Sequence, residues 1–230
     1  YSAGHTDALD FAVKALKRKG CVFAKQPDKT VTRLLLPVPS FDTNGCLKGG
    51  GMLAEVLEHL SRNVTIYCGN PGHFIPPGYK TVDLLQDAFF LAENADITAH
   101  CAVREAILQL TVTLRGCHVL VVGWGRIGKC LSSLLKSMGA IVTVAARKEQ
   151  DRAIAAALGY DVTDVHSLSY ELLRFQVIFN TVPGTVITKD AIKYCRPDCL
   201  KIDLASVPGI DAPDVISARG LPNKDAPESS

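Results

Sequence analysis

Apolar positions in the first half of the chain follow a helical period in some stretches and form short runs in others. The helical spacing predicts helices over residues 7–19, 52–60 and 87–110. Short runs, mostly bounded by proline, glycine or polar residues, predict strands over residues 32–37, 63–68 and 79–84. This order of strands and helices predicts a small α/β layer within residues 1–110.

A second and more regular alternation starts near residue 113. Strands are expected over residues 118–122, 141–147, 176–181 and 200–205. Helices are expected over residues 126–138, 151–158, 167–174 and 189–195. Because strands that alternate with helices form parallel sheets covered on both faces, this half is predicted to be a doubly wound parallel sheet.

Composition and charge argue against several classes of protein. The 230 residues carry 25 Lys and Arg against 23 Asp and Glu, and a net charge of +2 does not favour a nucleic-acid partner. Hydrophobic residues make up 47% of the chain, as in ordinary globular proteins, which argues against disorder. The longest apolar run, residues 153–158, is far too short to span a membrane, so no membrane partner is expected.

The eight cysteines are scattered along the chain and include no Cys-x-x-Cys pair. Most lie in apolar segments, where thiols act as small hydrophobic groups, and a chain of this length does not need disulfides. The nearest approach to a metal motif is Cys195-Arg-Pro-Asp-Cys199, which has no second cysteine or histidine pair at ligand spacing. We therefore expect no metal and a reducing, cytoplasmic location.

The clearest chemical signal is a six-residue loop between a predicted strand and a predicted helix, made of Gly123, Trp124, Gly125, Arg126, Ile127 and Gly128. In this context Gly123 makes the tight turn, Gly125 lets a pyrophosphate approach the backbone, and Gly128 lets helix and strand pack closely. The helix N-terminus adds free N–H groups and a partial positive charge. All six residues are predicted to bind a dinucleotide.

The residues after the next strand favour NADP(H) over NAD(H). In NAD-binding versions of this unit, an acidic residue about twenty positions further on receives the ribose 2′-hydroxyl. At that place the chain has Arg147 and Lys148 and no acid. A guanidinium fork suits a 2′-phosphate, so these two residues are expected to contact NADP(H).

Two loops after later strands are expected to face the nicotinamide, because ligands bind outside the carboxyl ends of strands in open α/β sheets. The loops cover residues 180–184 and 203–209. Their expected cofactor contacts are Thr181, Val182, Pro183 and Ala205. Ser206 is a candidate for touching a ligand, whereas Asp203 is interpreted as a buried carboxylate bonded to neighbouring N–H groups.

Together these motifs resemble the A-type components of the dipicolinate synthases of spore-forming bacteria. The resemblance is carried by Val119-Leu-Val-Val-Gly-Trp-Gly-Arg-Ile-Gly128, Ala145-Ala-Arg147, Asn180-Thr-Val-Pro183, Asp203-Leu-Ala-Ser206, Pro208-Gly209 and Gly220-Leu-Pro-Asn-Lys-Asp-Ala-Pro227. It covers most of the chain and is strongest over residues 118–209. The chain departs from the family at Thr98-Ala-His-Cys-Ala102, where Thr-Ala-Glu-Gly-Ala is typical, and at Asn223, which replaces a glycine.

The resemblance implies an α/β fold with two Rossmann-like three-layer domains. The first, over residues 1–112, would be a flavodoxin- or Rossmann-like substrate domain without its first strand. The second, over residues 113–230, would hold NADP(H) and lack its final helix. The implied activity is the oxidation of a hydroxy-tetrahydrodipicolinate intermediate to dipicolinate in the mother-cell cytoplasm of a sporulating bacterium. The implied partners are further copies of the chain and a flavoprotein-like B subunit.

The implied substrate is a small dicarboxylate, which needs cationic or N–H partners at both ends. Lys224 matches a family position after a Gly-Leu-Pro segment and is the candidate for one carboxylate. His100 is a candidate acid or base near neutral pH, and Ser206 is the third candidate for catalysis. A surface lysine and a polar helix residue are the plain alternatives for Lys224 and His100.

Two other functions stay open at this level. A D-2-hydroxyacid dehydrogenase has a similar cofactor loop, but it needs a catalytic Arg after the fourth strand of this domain and a His near the C-terminus. Here that strand leads to Thr181-Val-Pro-Gly184, and no histidine follows His166. The other alternative is a nucleotide-binding regulatory subunit without its own chemistry, since no acid–base pair stands out.

Overall fold

The structure, a computed structural model, describes residues 1–222 and divides into two compact units, one from Tyr1 to Glu93 and one that starts at Asn94. The helices are α1 (Asp7–Arg18), α2 (Leu53–Glu58), α3 (Ala88–Gln109), α4 (Arg126–Ser137), α5 (Glu149–Ala157) and α6 (Lys189–Ile192). The strands are β1 (Arg33–Leu35), β2 (Thr65–Cys68), β3 (Lys80–Asp83), β4 (His118–Val122), β5 (Ile141–Ala145), β6 (Asp161–Thr163), β7 (Val177–Asn180), β8 (Leu200–Asp203) and β9 (Val215–Ser217). None of the helices within residues 1–222 has both the length and the hydropathy to span a membrane.

The first unit is built on a parallel sheet of three strands in the order β1–β2–β3. Leu34 of β1 lies opposite Ile66 of β2, and both are fully buried in one cluster with Leu57 of α2. Ser2 makes an isolated parallel bridge to Leu35. An extended segment therefore precedes α1 beside β1, at a place where the sequence predicted no strand.

The second unit is a parallel sheet of six strands in the order β6–β5–β4–β7–β8–β9. Val119 and Val121 of β4 belong to one buried cluster, whereas Leu120 and Val122 belong to another. The two clusters lie on opposite faces because successive side chains of a strand point to opposite sides. The α/β fold and the doubly wound sheet are thus confirmed. Chain order reverses between β4 and β7, and a ligand site is expected at the carboxyl ends there.

The boundary between the units falls inside α3 and not after it. The sequence placed the whole of this helix in a first domain that ends at residue 112. In the structure Ala99, Ala102, Val103 and Ala106 are buried in one cluster with β4. The small side chains on this face let the carboxyl-terminal part of α3 pack closely, so that part belongs to the second unit.

The predicted helix over residues 167–174 is replaced by two 3-10 segments, Val165–Tyr170 and Leu172–Arg174. Leu168 and Leu172 are buried four residues apart in different 3-10 segments, and Phe175 is buried three residues after Leu172, a spacing that a 3-10 helix also satisfies. The strands β6 and β9 were not predicted. Each is three residues long and neither shows clear alternation in burial, so periodicity carries little signal.

Candidate dinucleotide site

The loop after β4 begins at Gly123, which holds φ of +106° at the carboxyl end of the strand. Its N–H donates to the carbonyl of Ala145 at 2.8 Å, which fixes the loop against β5. A Cβ at this position would collide with the hydroxyl of Thr181 and lie 2.8 Å from a methyl group of Val182. Glycine is therefore required here by both backbone conformation and space.

The other two glycines of the loop face different surroundings. A Cβ on Gly128 would collide with the carbonyl oxygen of Gly123, so this glycine lets α4 approach the end of β4. A Cβ on Gly125 would meet nothing within 4 Å. Gly125 is also the N-cap of α4 and gives no side-chain acceptor to its first N–H groups. Open space in front of free N–H groups fits a pyrophosphate, so the residues present suit a dinucleotide.

The remaining loop residues divide between core and surface. Trp124 is 7% exposed, and its ring contacts Tyr160 edge-on at a centroid distance of 5.5 Å. Ile127 is partly buried against the same cluster. These two side chains anchor the loop, so only their backbone atoms remain for a ligand. Arg126, the first residue of α4, is exposed and available to phosphate.

A buried network joins the carboxyl ends of β7 and β8. The Asn180 amide donates to Asp203 Oδ1 and to the carbonyl of Val182, both at 2.9 Å. The backbone N–H of Ala205 donates to Asp203 Oδ1 at 3.1 Å, and that of Gly209 donates to Oδ2 at 2.7 Å. Asp203 is 1% exposed, so the interpretation of this residue as a buried carboxylate bonded to N–H groups is confirmed.

The network holds the two loops on which the predicted contacts lie. The Thr181 hydroxyl donates to the carbonyl of Val122 at 2.9 Å, which ties the β7 loop to the end of β4. Val182 is partly buried, Pro183 is exposed and Ala205 is buried. Ser206 follows Ala205 and is exposed. Among these residues Ser206 therefore offers a solvent-facing hydroxyl at this edge of the sheet.

Arg147 and Lys148 lie at the carboxyl end of β5, and both are exposed. Their turn is held by Arg152, whose Nη1 donates to the carbonyls of Ala146 at 2.8 Å and Arg147 at 2.9 Å. The same nitrogen lies 2.7 Å from Asp164 Oδ2. The backbone N–H of His166, together with Arg152, holds the pKa of Asp164 below its ordinary value. Sequence reading missed this brace because its partners lie on separate elements.

His100 lies on α3, which precedes all of these loops in the sequence. Its side chain is 61% exposed. Its Nε2 is 3.8 Å from Asp96 Oδ2. Both residues line a groove of about 450 Å³ with Lys129 and Ser133 of α4. The structure thus gives His100 a carboxylate neighbour but no tight hydrogen bond. Lys224 lies outside the described residues.

Arg219 is a candidate site residue that the sequence reading missed. It follows β9, and its neighbour Ala218 donates a backbone hydrogen bond to the carbonyl of Asp203 at 2.9 Å. The Nε of Arg219 is buried and has no hydrogen-bond partner within residues 1–222. A guanidinium at this edge can receive an anionic group. It was overlooked because β9 itself was not predicted.

No group of three or more His, Cys, Asp or Glu side chains within residues 1–222 could hold a metal ion. The second unit instead brings together a glycine loop, a helix N-terminus and two loops tied by hydrogen bonds. Such an arrangement can bind a phosphorylated cofactor and present its reactive ring to a second ligand.

Comparisons with known proteins agree with this geometry. The profile described as D-isomer specific 2-hydroxyacid dehydrogenase, NAD binding domain, matches residues 90–212. The A component of dipicolinate synthase from Bacillus subtilis (strain 168) is 24% identical over 200 residues, which cover 82% of this chain and 67% of that protein. The family resemblance inferred from the sequence is confirmed.

Solved structures show the same similarity. The A component of dipicolinate synthase from Bacillus halodurans is 25% identical, with a TM-score of 0.75 over 87% of this chain and 76% of that one. Its counterpart from Bacillus subtilis is 22% identical, with a TM-score of 0.74 over 91% and 76%. A transhydrogenase from Sinorhizobium meliloti is 14% identical, with a TM-score of 0.67 over 94% and 76%, and it shares the fold.

Proposed function

The chain belongs to the family of D-isomer specific 2-hydroxyacid dehydrogenase NAD-binding domains, and from this premise we propose that it is an NADP(H)-dependent oxidoreductase of the dipicolinate synthase A type. A nicotinamide dinucleotide cofactor and an oxidoreductase role follow from the family. The observation that carries the proposal is the open space at Gly125 in front of the α4 N-terminus. The proposed reaction converts a hydroxy-tetrahydrodipicolinate to dipicolinate by loss of one water molecule and by oxidation, in which a hydride goes to NADP⁺ and a proton to solvent.

The residues of the second unit would act by binding and orientation. Gly125 and the first N–H groups of α4 would hold the pyrophosphate, while Arg147 and Lys148 would hold the 2′-phosphate. The loops tied through Asp203 would form the wall beside the nicotinamide. When bound, the cofactor supplies hydride acceptance or donation at its ring. The protein's part is to fix both reactants and to exclude water.

The proposed substrate is a planar ring with two carboxylates, so it requires cationic partners. Arg219 is suited to one of them, because its Nε is buried without a partner in the described region. It also follows β9, the strand next to the one that precedes Ser206. Lys224 stays a prediction for the other carboxylate. Self-association, a B-type partner and a mother-cell cytoplasmic location belong to the same proposal.

The 2-hydroxyacid dehydrogenase reaction is the second candidate, because the family profile itself carries that name. Against it, the loop after β7 has no arginine at residues 181–184. A regulatory protein without chemistry is the third candidate.

One assay separates the three functions. The full-length protein is incubated with NADP⁺ and either hydroxy-tetrahydrodipicolinate or a simple 2-hydroxy acid, with and without a B-type partner, and reduced cofactor and dipicolinate are followed by absorbance. Formation of both products supports the proposal. Turnover with simple 2-hydroxy acids alone favours the dehydrogenase. Cofactor binding without turnover of either substrate class would favour the regulatory role.

Arg147→Ala is expected to weaken NADPH binding by roughly ten- to a hundredfold. A charge-assisted hydrogen bond to phosphate is worth roughly 1.5–3 kcal/mol, and each 1.4 kcal/mol is about tenfold in affinity. NADH lacks the 2′-phosphate, so its dissociation constant should change little. Calorimetry at low salt measures the dissociation constants of NADPH and NADH for the parent and the variant. The double variant Arg147→Ala/Lys148→Ala shows whether Lys148 compensates for the loss of Arg147. Equal losses for the two cofactors would contradict the NADP(H) assignment.

Arg219→Leu and Lys224→Ala are each expected to raise the substrate KM by roughly tenfold or more, while NADPH affinity stays near that of the parent. A lost charge-assisted bond to a carboxylate is worth roughly 1.5–3 kcal/mol. Steady-state kinetics with the proposed substrate, together with NADPH titration, separate the two effects. Unchanged kinetics for a variant would mean that the substituted residue does not bind the substrate and has only a surface or packing role.

A further inference from the structure

Two cysteines meet at the amino end of β8, on the side of the sheet away from the glycine loop. After α6 the N–H of Cys195 donates to the carbonyl of Ile192 at 2.9 Å, and that of Cys199 donates to the carbonyl of Arg196 at 3.1 Å. After these two successive turns Cys199 lies in a buried cluster, and Cys195 is partly buried against the same cluster. The two thiols lie within hydrogen-bond reach of each other, and the Cys199 Sγ also lies 3.8 Å from the carbonyl oxygen of Leu200.

The two thiols differ in exposure. Cys199 is 4% exposed, whereas Cys195 is only partly buried. Both are reduced in this structure. The pair therefore joins a less buried cysteine to a more buried one, and this difference suits an attacking and a resolving thiol.

The groups around the pair favour a thiolate on Cys195 rather than on Cys199. Lys201 is 3% exposed, and its Nζ donates to the carbonyl of Cys199 at 2.9 Å and to Asp214 at 2.7 Å. The hydrogen bond with Cys199 and the charge of Lys201 lower the pKa of Cys195, whereas burial and the charge of Asp214 act in the opposite direction. The hydrogen bond and burial raise the pKa of Cys199. Arg196 is engaged by Asp198 through two contacts of 2.6 and 2.7 Å.

We propose that Cys195 and Cys199 form a redox-active dithiol site whose oxidant is a peroxide. The Cys195 thiolate attacks a peroxide oxygen, the O–O bond breaks, and Cys195 becomes a sulfenic acid while hydroxide leaves. The Cys199 thiol then attacks the sulfenic sulfur and gives up its proton, so that a disulfide and water are formed. Two electrons pass from the two sulfurs to one peroxide. The site is separate from the proposed cofactor site and does not depend on the proposed function.

The sequence makes this chemistry directly measurable. Trypsin cuts after Lys193 and Lys201 but not at the Arg196–Pro197 bond, so both cysteines lie in one peptide, Tyr194–Lys201. Each of the other six cysteines falls in a tryptic peptide with no second cysteine. The native full chain is treated with hydrogen peroxide, alkylated in denaturant and digested. Mass spectrometry should then find this peptide unalkylated and lighter by two hydrogen atoms.

Two variants assign the roles. In Cys199→Ser, dimedone should trap a sulfenic acid on Cys195, because no resolving thiol remains. In Cys195→Ser, Cys199 should stay reduced and be alkylated only after denaturation. The exposed Cys21 serves as the reference thiol in the same digest. Full alkylation of both Cys195 and Cys199 under conditions that oxidise Cys21 would overturn the proposal, as would equal dimedone labelling of the two variants.

Discussion

Replacing Gly125 by valine is expected to abolish dinucleotide binding while the second unit stays folded. The residue has φ of −77° and ψ of −169°, values open to any side chain, and a Cβ there meets nothing within 4 Å. The valine methyl groups would instead occupy the space that a pyrophosphate must enter. We expect an affinity loss of at least about a hundredfold, equivalent to roughly 3 kcal/mol. Calorimetry with NADPH measures it, and circular dichroism checks the fold.

Gly128→Val is the matched comparison for Gly125→Val. Its Cβ would collide with the carbonyl oxygen of Gly123, so the backbone itself must move. This variant should therefore lose thermal stability as well as binding, whereas Gly125→Val should lose binding alone. If Gly125→Val binds NADPH as tightly as the parent, the loop is a structural turn and the dinucleotide assignment fails.

Asp203→Ala is expected to destabilise the second unit by roughly 3–5 kcal/mol, among the largest effects of a single substitution. The carboxylate accepts hydrogen bonds from the Asn180 amide and from the N–H groups of Ala205 and Gly209. Its removal leaves the N–H groups of Ala205 and Gly209 without this acceptor in a buried place, and the Asn180 amide keeps only its bond to Val182. Denaturant unfolding followed by circular dichroism measures the loss.

Asp203→Asn keeps the volume but replaces one acceptor by a donor, so it should lose roughly 2–3 kcal/mol without opening a cavity. Asp190→Ala is the control, because Asp190 is 87% exposed and its change should leave stability almost unaltered. A stability for Asp203→Asn equal to that of the parent would mean that the network does not hold the β7 and β8 loops together.

The sequence predicted best those features that depend on local order. The strand, glycine loop and helix over residues 118–138 follow from one apolar run, one turn motif and one amphipathic stripe, all contiguous. The structure places β4 and α4 within this range. Asp203 was also interpreted correctly, because a carboxylate at the end of a buried strand must find N–H partners. The spacing of apolar residues and the residue types at turns are enough to predict such features.

Features that depend on contacts between distant elements were not predicted. The boundary inside α3 follows from alanines that fit against β4, and their small size carries no signal until the partner is known. The burial of the Trp124 ring was not predicted, and a contact between the Trp124 backbone and the cofactor stays a prediction. Arg219 was missed because β9 is a short edge strand. In each case, tertiary packing gives a residue a role that its neighbours in sequence do not reveal.

The burial of Trp124 also gives the protein an internal optical probe. It is the single tryptophan among the 230 residues, and it sits between two glycines of the proposed cofactor loop. Its emission therefore reports on the second unit alone, since the first unit contains no indole. Because indole emission overlaps the absorption of reduced nicotinamide, energy transfer from Trp124 would signal occupancy of the loop without a label. Cofactor binding and unfolding of this unit could then both be followed through Trp124 emission, by titrating the protein with reduced cofactor or with denaturant.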